Sequence, residues 1–251
     1  MGKFSGYGLL LMAFLSWVTV PNAHSSPMPW EDGEELAYEI HWGLFVAAEG
    51  VFTARRHPQQ PGQWVFLLDL KSRGVVETLS PIRSEFKSVT QVAPWRSRAF
   101  EEKRKEGKRR YDRVIRPDYR RKKIHVHDRR AQDKTDYSFD HTTVEDIGSL
   151  LYRVRVLNWG SGMKREFHVY QDKDIRTVEA SFVKREKWDG RETVVVFVRP
   201  NYGDPAKDAK GYGVNIWMTD DREKLPIRAA LKAKFGTFDI RLKEDDGFKS
   251  K

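Results

Sequence analysis

The stretch IRAALKAKFGTFDIRL, residues 227–242, carries large apolar side chains at alternate positions on both sides of a central glycine. In a β-strand, alternate side chains point to the same face, so this pattern is typical of strands with one buried face. The segment Phe235-Gly236-Thr237 provides a bend between the two halves. The sequence therefore predicts an antiparallel hairpin here.

Similar alternating segments, bounded by turn residues, fill most of the chain. Bulky apolar side chains occupy every second position in residues 36–42. The next predicted strand, residues 46–55, contains the small residues Ala47, Ala48 and Gly50, at which a neighbouring backbone or a ligand would come close. Residues 64–70 and 194–198 are apolar at nearly every position, which predicts central strands covered on both faces.

One segment departs from this alternation and indicates a helix. Asp146 is a good N-cap residue, and the apolar residues after it follow the three- and four-residue spacing of one helical face. These residues are Ile147, Leu150, Leu151, Val154 and Leu157. The stripe favours a helix that covers the core side of the sheet, with a mobile lid as the alternative.

These patterns together predict a mainly β fold. We expect residues 33–242 to form a single domain. Its strongly curved antiparallel sheet would be a meander that forms an open barrel or a half-barrel, and one amphipathic helix would cover it. Residues 26–32 would be an N-terminal extension, and residues 243–251 a polar C-terminal tail.

The N-terminus has the three parts of a secretory signal peptide, predicted over residues 1–25. Lys3 precedes an apolar run over residues 9–20, which is followed by Ala23-His24-Ser25. The run is shorter than the roughly 20 residues that a membrane-spanning helix needs, although a retained anchor is the alternative. We therefore expect an exported protein, in the periplasm, peripheral to an envelope membrane, or secreted. The chain contains no cysteine, which excludes disulfides, thiol catalysis and lipid attachment through a cysteine.

The net charge of +10 is concentrated in residues 96–130, which hold sixteen basic and six acidic residues. Turn signals at residues 106–108 and 116–118 divide this stretch into three predicted strands, the basic meander. Phospholipid headgroups, lipopolysaccharide phosphates and acidic glycans are the anions that it would meet outside the cytoplasm, whereas export argues against nucleic acid. The alternatives are a solvated sheet face and a surface that docks a partner protein. The candidate anion-binding residues are Arg104, Lys108, Arg109, Arg110, Arg113, Arg120 and Arg121.

No pattern of catalytic or metal-binding residues is convincing. His125 and His127 would share a strand face, but two ligands do not make a zinc site. Asp220 and Asp221 precede a proline-containing turn and are expected to serve that turn rather than hydrolysis. We predict no catalytic residues, no metal and no cofactor.

Three segments resemble the family of bacterial envelope proteins of unknown function called DUF3108. The first is residues 33–43, which end in a Tyr-Glu-x-x-Trp-Gly pattern, and the second is residues 146–152. The third is residues 213–221, together with the Leu225-Pro226-Ile227-Arg228 and Phe235-Gly236 motifs that follow it. The resemblance implies a signal peptide and an antiparallel β-rich domain. It implies no activity and no catalytic residues.

The leading hypothesis is a non-catalytic envelope protein that binds an amphiphilic or anionic ligand, either a lipid or an acidic glycan. Its apolar groove would be lined by Trp42, Phe45, Trp64, Phe66 and Trp217. The alternatives are a structural or assembly factor that docks on envelope proteins, and a hydrolase without a recognisable motif.

Overall fold

The computed structural model of the 251-residue chain describes residues 28–171, 174–201, 210–234 and 236–243. The predicted signal peptide and all of the predicted tail except Lys243 lie outside these residues. Within them the chain forms two helices and a series of β-strands. The helices are α1, Gly74–Leu79, and α2, Ile147–Val156. Neither helix has the length and apolar content that a membrane crossing requires.

The strands follow one another with few interruptions. In chain order they are β1 Glu34–Trp42, β2 Phe45–Arg56, β3 Gln63–Ser72, β4 Ile82–Val92, β5 Trp95–Glu106, β6 Arg109–Asp118, β7 Lys123–Asp128, β8 Asp133–Ser138, β9 Lys164–Gln171, β10 Asp174–Trp188, β11 Arg191–Pro200, β12 Gly213–Thr219, β13 Pro226–Ala233 and β14 Gly236–Leu242.

All of these strands belong to one antiparallel sheet in the order β8-β7-β6-β5-β4-β3-β2-β1-β14-β13-β12-β11-β10-β9. Its two edge strands, β8 and β9, are not paired with each other, so the sheet is not closed. The predicted C-terminal hairpin is confirmed by the pairing of Ala233 with Gly236, although Phe235 in the predicted bend lies outside the described residues. The predicted fold class, a curved antiparallel sheet with a covering helix, is confirmed.

The segment between β8 and α2 crosses the concave side of the sheet and connects its two halves. The carbonyl of Val144 accepts a hydrogen bond from the Ser97 amide on β5 at 3.0 Å. Glu145 then pairs with β9, since its amide donates to the His168 carbonyl and its carbonyl accepts from the Tyr170 amide, both at 2.8 Å. These bonds give the start of α2 a fixed position inside the curved sheet.

Helix α2 lies in the core, as the favoured sequence interpretation predicted. The Asp146 carboxylate accepts from the Ser149 amide at 2.9 Å, and the Ser149 hydroxyl accepts from the Asp146 amide, which completes a capping box. Leu150 and Val154 pack against β9 to β12, whereas Tyr152 packs against β2, β3 and β5. The helix is therefore buried on more than the single predicted face.

Two local predictions were wrong. Residues 64–70 of β3 are not covered on both faces: Trp64 and Phe66 are buried, but Val65 and Leu67 are only half-buried, because α2 covers the concave face alone. The second turn of the basic meander falls at residues 119–122 instead of 116–118. Here the Asp118 carboxylate accepts from the amides of both Arg120 and Arg121 at 3.0 Å, which stabilises the later turn.

Candidate ligand-binding cavity

An apolar cavity of about 610 Å³ lies on the concave face, between α2 and the strands β1 to β3 and β12 to β14. Nearly all of its lining is nonpolar, with Ile40, Leu68, Leu70, Phe238 and Ile240 as the main strand contributions. Ligand sites in proteins occupy roughly 300–1,000 Å³ and are mostly apolar. The cavity has the size and lining of a binding site for the apolar part of a small molecule.

The small residues predicted in β2 form one wall of this cavity. Ala47, Ala48 and Gly50 all line it, and they leave the space that larger side chains would fill. A Cβ atom at Gly50 would meet only ordinary contacts, 3.6 Å from Leu70 and 4.0 Å from Leu68. A larger side chain would therefore fit at position 50 without a clash, and the absence of a side chain there leaves the cavity wider.

Helix α2 supplies the opposite wall through Ile147 and Leu151. Both were predicted as part of the helix's core-facing stripe, but they face open space, and Ile147 remains 42% exposed. Leu151 and Tyr38 also line a smaller adjoining cavity of about 130 Å³. The Tyr38 hydroxyl donates to the Pro226 carbonyl at 2.7 Å, and burial raises the pKa of this phenol, so it stays neutral.

A third cavity, of about 420 Å³, adjoins the apolar cavity at Ile147, Val214 and Leu231 and has a charged wall. That wall contains Glu102, Arg104, Arg176 and Arg199. Arg199 pairs with Glu179 at 3.4 Å, so Arg104 and Arg176 remain beside the single carboxylate of Glu102, and the excess of basic groups makes this part of the concave face favourable for an anion.

Glu102 and Arg104 of this wall are paired with neighbours on β5 and β6. Arg104 Nη1 lies 3.0 Å from Glu106 Oε1, and Arg104 Nε lies 3.4 Å from Glu102 Oε2. Arg113 Nη1 contacts the other oxygen of Glu102 at 3.1 Å. Arg176, on β10, makes no ion pair with any residue in the described part of the chain. It is therefore the arginine best placed to pair with an anionic ligand.

The apolar residues predicted to line one groove do not lie together. Trp42 lines the cavity and Phe45 lies beside it at the end of the sheet. Trp64 and Phe66 are wrong as groove residues: they are buried in an aromatic cluster, where Phe66 stacks on Tyr152 with ring centroids 3.9 Å apart. Trp217 is also wrong, because it lies on the opposite face of β12 from the cavity-lining side chains and its Nε1 donates to Glu186.

The predicted basic residues are likewise divided among three places. Arg104 and Arg113 are on the concave face with Glu102. Lys108, Arg109 and Arg110 are exposed around the β5–β6 turn, at the same end of the sheet as Trp42. Arg120 and Arg121 are exposed at the opposite end, in the β6–β7 turn. The meander therefore does not present one continuous anion-binding surface.

The sequence analysis did not name Ile40, Arg176 or Phe238 as candidate site residues. Ile40 and Phe238 could have been found, because each belongs to an alternating apolar strand that was correctly predicted. Arg176 carries no such signal, since an isolated basic residue in a strand is more often exposed to solvent.

Two of the other polar candidates, His125 and Asp221, have structural partners. His125 Nδ1 lies 2.7 Å from Asp136 Oδ1. Asp221 accepts from the Thr219 hydroxyl and from two amides of the following turn, as the sequence predicted for this acid. Across residues 28–171, 174–201, 210–234 and 236–243, no three metal-ligating side chains come together.

A solved structure with a similar fold is the beta-barrel-like protein of the domain of unknown function DUF1849 from Brucella abortus. The two share 8% sequence identity at a TM-score of 0.57, over 84% of this chain and 95% of that chain. At this identity the similarity shows the fold alone. No curated protein matches the chain.

The family comparison covers most of the sequence. The family described as "Protein of unknown function (DUF3108)" matches residues 37–243. This range includes β1 from Ala37 onwards, the other strands of the sheet, both helices and the whole lining of the 610 Å³ cavity. The chain therefore belongs to the DUF3108 family.

Proposed function

We propose that this protein is an exported, non-catalytic envelope protein that binds an amphiphilic ligand on the concave face of its sheet. The apolar chain of the ligand occupies the 610 Å³ cavity, and its anionic headgroup faces the arginines of the adjoining charged cavity. The observation that carries this proposal is the apolar cavity itself.

The size of the cavity supports a ligand because the adjacent core is well packed. Protein interiors contain few voids larger than a water molecule, and unfilled apolar space lowers stability. A short distance away, five aromatic side chains fill their part of the concave face, with ring centroids 3.9 to 6.3 Å apart. They are Trp30, Trp64, Phe66, Trp95 and Tyr152. The same chain therefore packs one region tightly and keeps another open with Ala47, Ala48 and Gly50.

The charges around the cavity support an anionic headgroup. Arg176 and Arg104 lie in the charged cavity, which shares Ile147, Val214 and Leu231 with the apolar one. A carboxylate or phosphate at this junction would form charge-assisted hydrogen bonds while its chain stays in nonpolar surroundings. The export proposal rests on the secretory pattern of residues 1–25.

The first test is direct recovery of the ligand. The full chain, expressed with residues 1–25 and purified from the envelope fraction, is measured by native mass spectrometry and its lipid extract is analysed. We expect an added mass in the range of a fatty acid or phospholipid, released by organic solvent. Protein that carries no such mass, and that binds neither a fluorescent fatty acid nor phosphatidylglycerol after purification, would contradict the proposal.

A matched pair of substitutions locates the site. Ala48→Phe places a ring inside the cavity, whereas Ala230→Phe adds the same ring next to the cavity-lining Ala229, on the other face of β13. We expect Ala48→Phe to weaken fatty acid binding by about tenfold or more, equivalent to about 1.4 kcal/mol. Ala230→Phe should bind as the wild type does. Equal affinity in both variants would place the ligand elsewhere.

A charge substitution tests the headgroup. Arg176→Gln should weaken binding of a fatty acid, whose carboxylate is charged, more than binding of the corresponding uncharged alcohol. Arg165→Gln, on the exposed part of the neighbouring strand β9, is the control. An equal loss for the acid and the alcohol would show that Arg176 does not contact the headgroup.

A further inference from the structure

The apolar cavity continues to the end of the sheet through a groove of about 360 Å³ between the β1–β2 turn and helix α1. The groove and the cavity share Trp42, Ala47 and Val76. Around the groove, five large apolar side chains are exposed to solvent, and we call these five residues the rim. The rim consists of Trp42, Leu44, Phe45, Val75 and Leu79.

The rim is unusual for this protein. Eight large hydrophobic side chains are exposed among the described residues: the five of the rim, Ile147 and Leu231, which line the cavity, and Val183 on β10. Leu44 is 97% exposed and Leu79 is 79% exposed. Exposed apolar side chains that gather in one place mark an interaction surface, whereas single ones such as Val183 are ordinary.

The structure holds the rim in place. The Arg73 amide at the start of α1 donates to the Ala47 carbonyl at 2.8 Å, and the Arg73 guanidinium pairs with Glu49. Glu77 of α1 binds Arg83 with both carboxylate oxygens at 2.6 Å. Val75 and Leu79 are therefore presented from an ordered helix, which lowers the entropy lost when they meet a partner.

The charge at this end of the sheet identifies the partner. Consecutive turns of an antiparallel meander alternate between its two ends. Among the described residues, the turns at the rim end, residues 43–44, 73–81, 107–108, 129–132, 201, 210–212 and 234, hold one acidic residue, Glu77, and six basic ones. The basic residues are Arg73, Lys108, Arg129, Arg130, Lys210 and Lys234.

The opposite end has no such excess. Its described turns, residues 57–62, 93–94, 119–122, 139–146, 189–190 and 220–225, hold five basic and seven acidic residues. Two of the acidic ones, Glu145 and Asp146, are buried, so five basic and five acidic side chains remain accessible. The basic ones are Arg120, Arg121, Lys122, Arg222 and Lys224, and the acidic ones are Asp140, Glu145, Asp146, Asp189, Asp220, Asp221 and Glu223. The basic excess and the apolar rim therefore coincide at one end of the sheet.

We propose that the rim end docks on an anionic membrane surface, with the rim side chains inserted among the lipid headgroups and the surrounding lysines and arginines at the phosphates. Apolar insertion combined with basic residues is the chemistry that recognises an anionic bilayer interface. This goes beyond ligand binding, because it assigns a membrane partner and places the mouth of the cavity against it. An amphiphile would then pass between the bilayer and the cavity without crossing water.

Vesicle flotation of the full chain tests this proposal. We use vesicles of phosphatidylcholine alone and vesicles in which part of the lipid is phosphatidylglycerol, at low and high salt. The wild type should float with the anionic vesicles and lose binding as salt rises. Failure to bind either vesicle overturns the proposal and leaves the rim to a protein partner, and equal, salt-insensitive binding to both vesicles overturns the charge argument.

Matched variants then separate docking from other effects. Leu44→Asp should lower partitioning onto anionic vesicles by about tenfold, because a carboxylate replaces an inserted side chain. Val183→Asp makes the same kind of change at the exposed position outside the rim and should bind as the wild type does. The double change Lys108→Glu and Arg109→Glu should weaken binding, whereas Arg120→Glu and Arg121→Glu at the other end should not. Equal losses within either pair overturn the proposal.

Ligand binding is measured on the same proteins with a soluble fluorescent fatty acid. Leu44 lines none of the cavities, so Leu44→Asp should keep fatty acid binding while it loses vesicle binding. Ala48→Phe should show the reverse. If Ala48→Phe loses vesicle binding and Leu44→Asp keeps it, the docking proposal is overturned. If both variants keep fatty acid binding, the result contradicts the cavity proposal and leaves the docking proposal standing.

Discussion

Arg155 of α2 and Glu34 of β1 form a two-pronged ion pair inside the curved sheet, with Nη1–Oε1 and Nη2–Oε2 distances of 2.6 and 2.9 Å. The Arg155 side chain is only 3% exposed. Its guanidinium also donates to the carbonyls of Glu223 and Lys224 and lies 5.3 Å from the centre of the Trp30 ring. One buried charge therefore connects the helix, the first strand, the β12–β13 turn and the N-terminal segment.

We expect Arg155→Met to lower the free energy of unfolding by about 3–5 kcal/mol, because it leaves the Glu34 carboxylate half-buried without its partner. Urea unfolding followed by tryptophan fluorescence measures the change. Arg165→Met, an exposed arginine on β9, should change stability by no more than about 0.5 kcal/mol. The double variant Arg155→Met and Glu34→Leu should lose less than the sum of the single changes, and strict additivity would show that the pair is not coupled.

Two tyrosine hydroxyls offer a second test of the core. The Tyr119 hydroxyl donates to the Ser97 carbonyl at 2.8 Å, whereas the buried Tyr152 hydroxyl has no hydrogen-bond partner among the described residues. Tyr119→Phe should lower the free energy of unfolding by about 0.5–1.5 kcal/mol. Tyr152→Phe should leave it unchanged or raise it, because it removes a buried polar atom without breaking a bond. A loss at Tyr152 as large as that at Tyr119 would contradict this assignment.

The sequence predicted those features of the fold that depend on local periodicity. Alternation in residues 227–242 identified the last hairpin, and the spacing after Asp146 identified α2, because each pattern reports which side chains share a face. The burial of Arg155 could not be predicted in this way. Its partner Glu34 is 121 residues away in sequence, and the two charges meet only because β1, α2 and the β12–β13 turn pack together in the folded chain.

The candidate site was predicted only in part, for a related reason. Alternation shows which residues point inward, but it does not show whether the inner space is filled. Phe66 and Trp42 both point to the concave side, yet Phe66 meets the Tyr152 ring, whereas Trp42 meets the gap left by Ala47. The small residues of β2 were the better signal for a cavity, because a missing side chain leaves space whatever its neighbours are.

The basic meander gives a third prediction, because Arg113 and Arg110 lie on opposite faces of β6. Arg113 is 13% exposed, pairs with Glu102 at 3.1 Å and lies over the Tyr111 ring, whereas Arg110 is exposed. Arg113→Gln should therefore lower the free energy of unfolding by about 3 kcal/mol, and Arg110→Gln should change it by no more than about 0.5 kcal/mol. Urea unfolding of both variants decides this, and an equally small change in both would mean that the concave ion pairs add little to stability.

The last prediction concerns Glu145, at the junction of the crossing segment and α2. Its side chain is buried, Oε2 has no hydrogen-bond partner among the described residues, and the only favourable charge acting on it comes from Arg153. Burial is the main cause that raises the pKa of this carboxyl from 4.5 to about 8, and the neighbouring Asp146 adds to the effect. At neutral pH the folded protein thus keeps a proton on Glu145 that the unfolded chain releases.

The contribution of Glu145 to the free energy of unfolding should therefore decrease as pH rises from about 5 to about 8. Below pH 4.5 both states hold the proton, and between the two pKa values only the folded state does, so Glu145 contributes a slope of up to about 1.4 kcal/mol per pH unit. Glu145→Gln keeps a neutral side chain at every pH, so it should flatten the profile and be more stable than the wild type at pH 8. Glu166→Gln, an exposed carboxyl on β9, should keep the wild-type slope. If urea unfolding gives the same pH profile for Glu145→Gln and the wild type, the Glu145 carboxyl is ionised in the folded protein at neutral pH, and the crossing segment must supply it with a compensating charge.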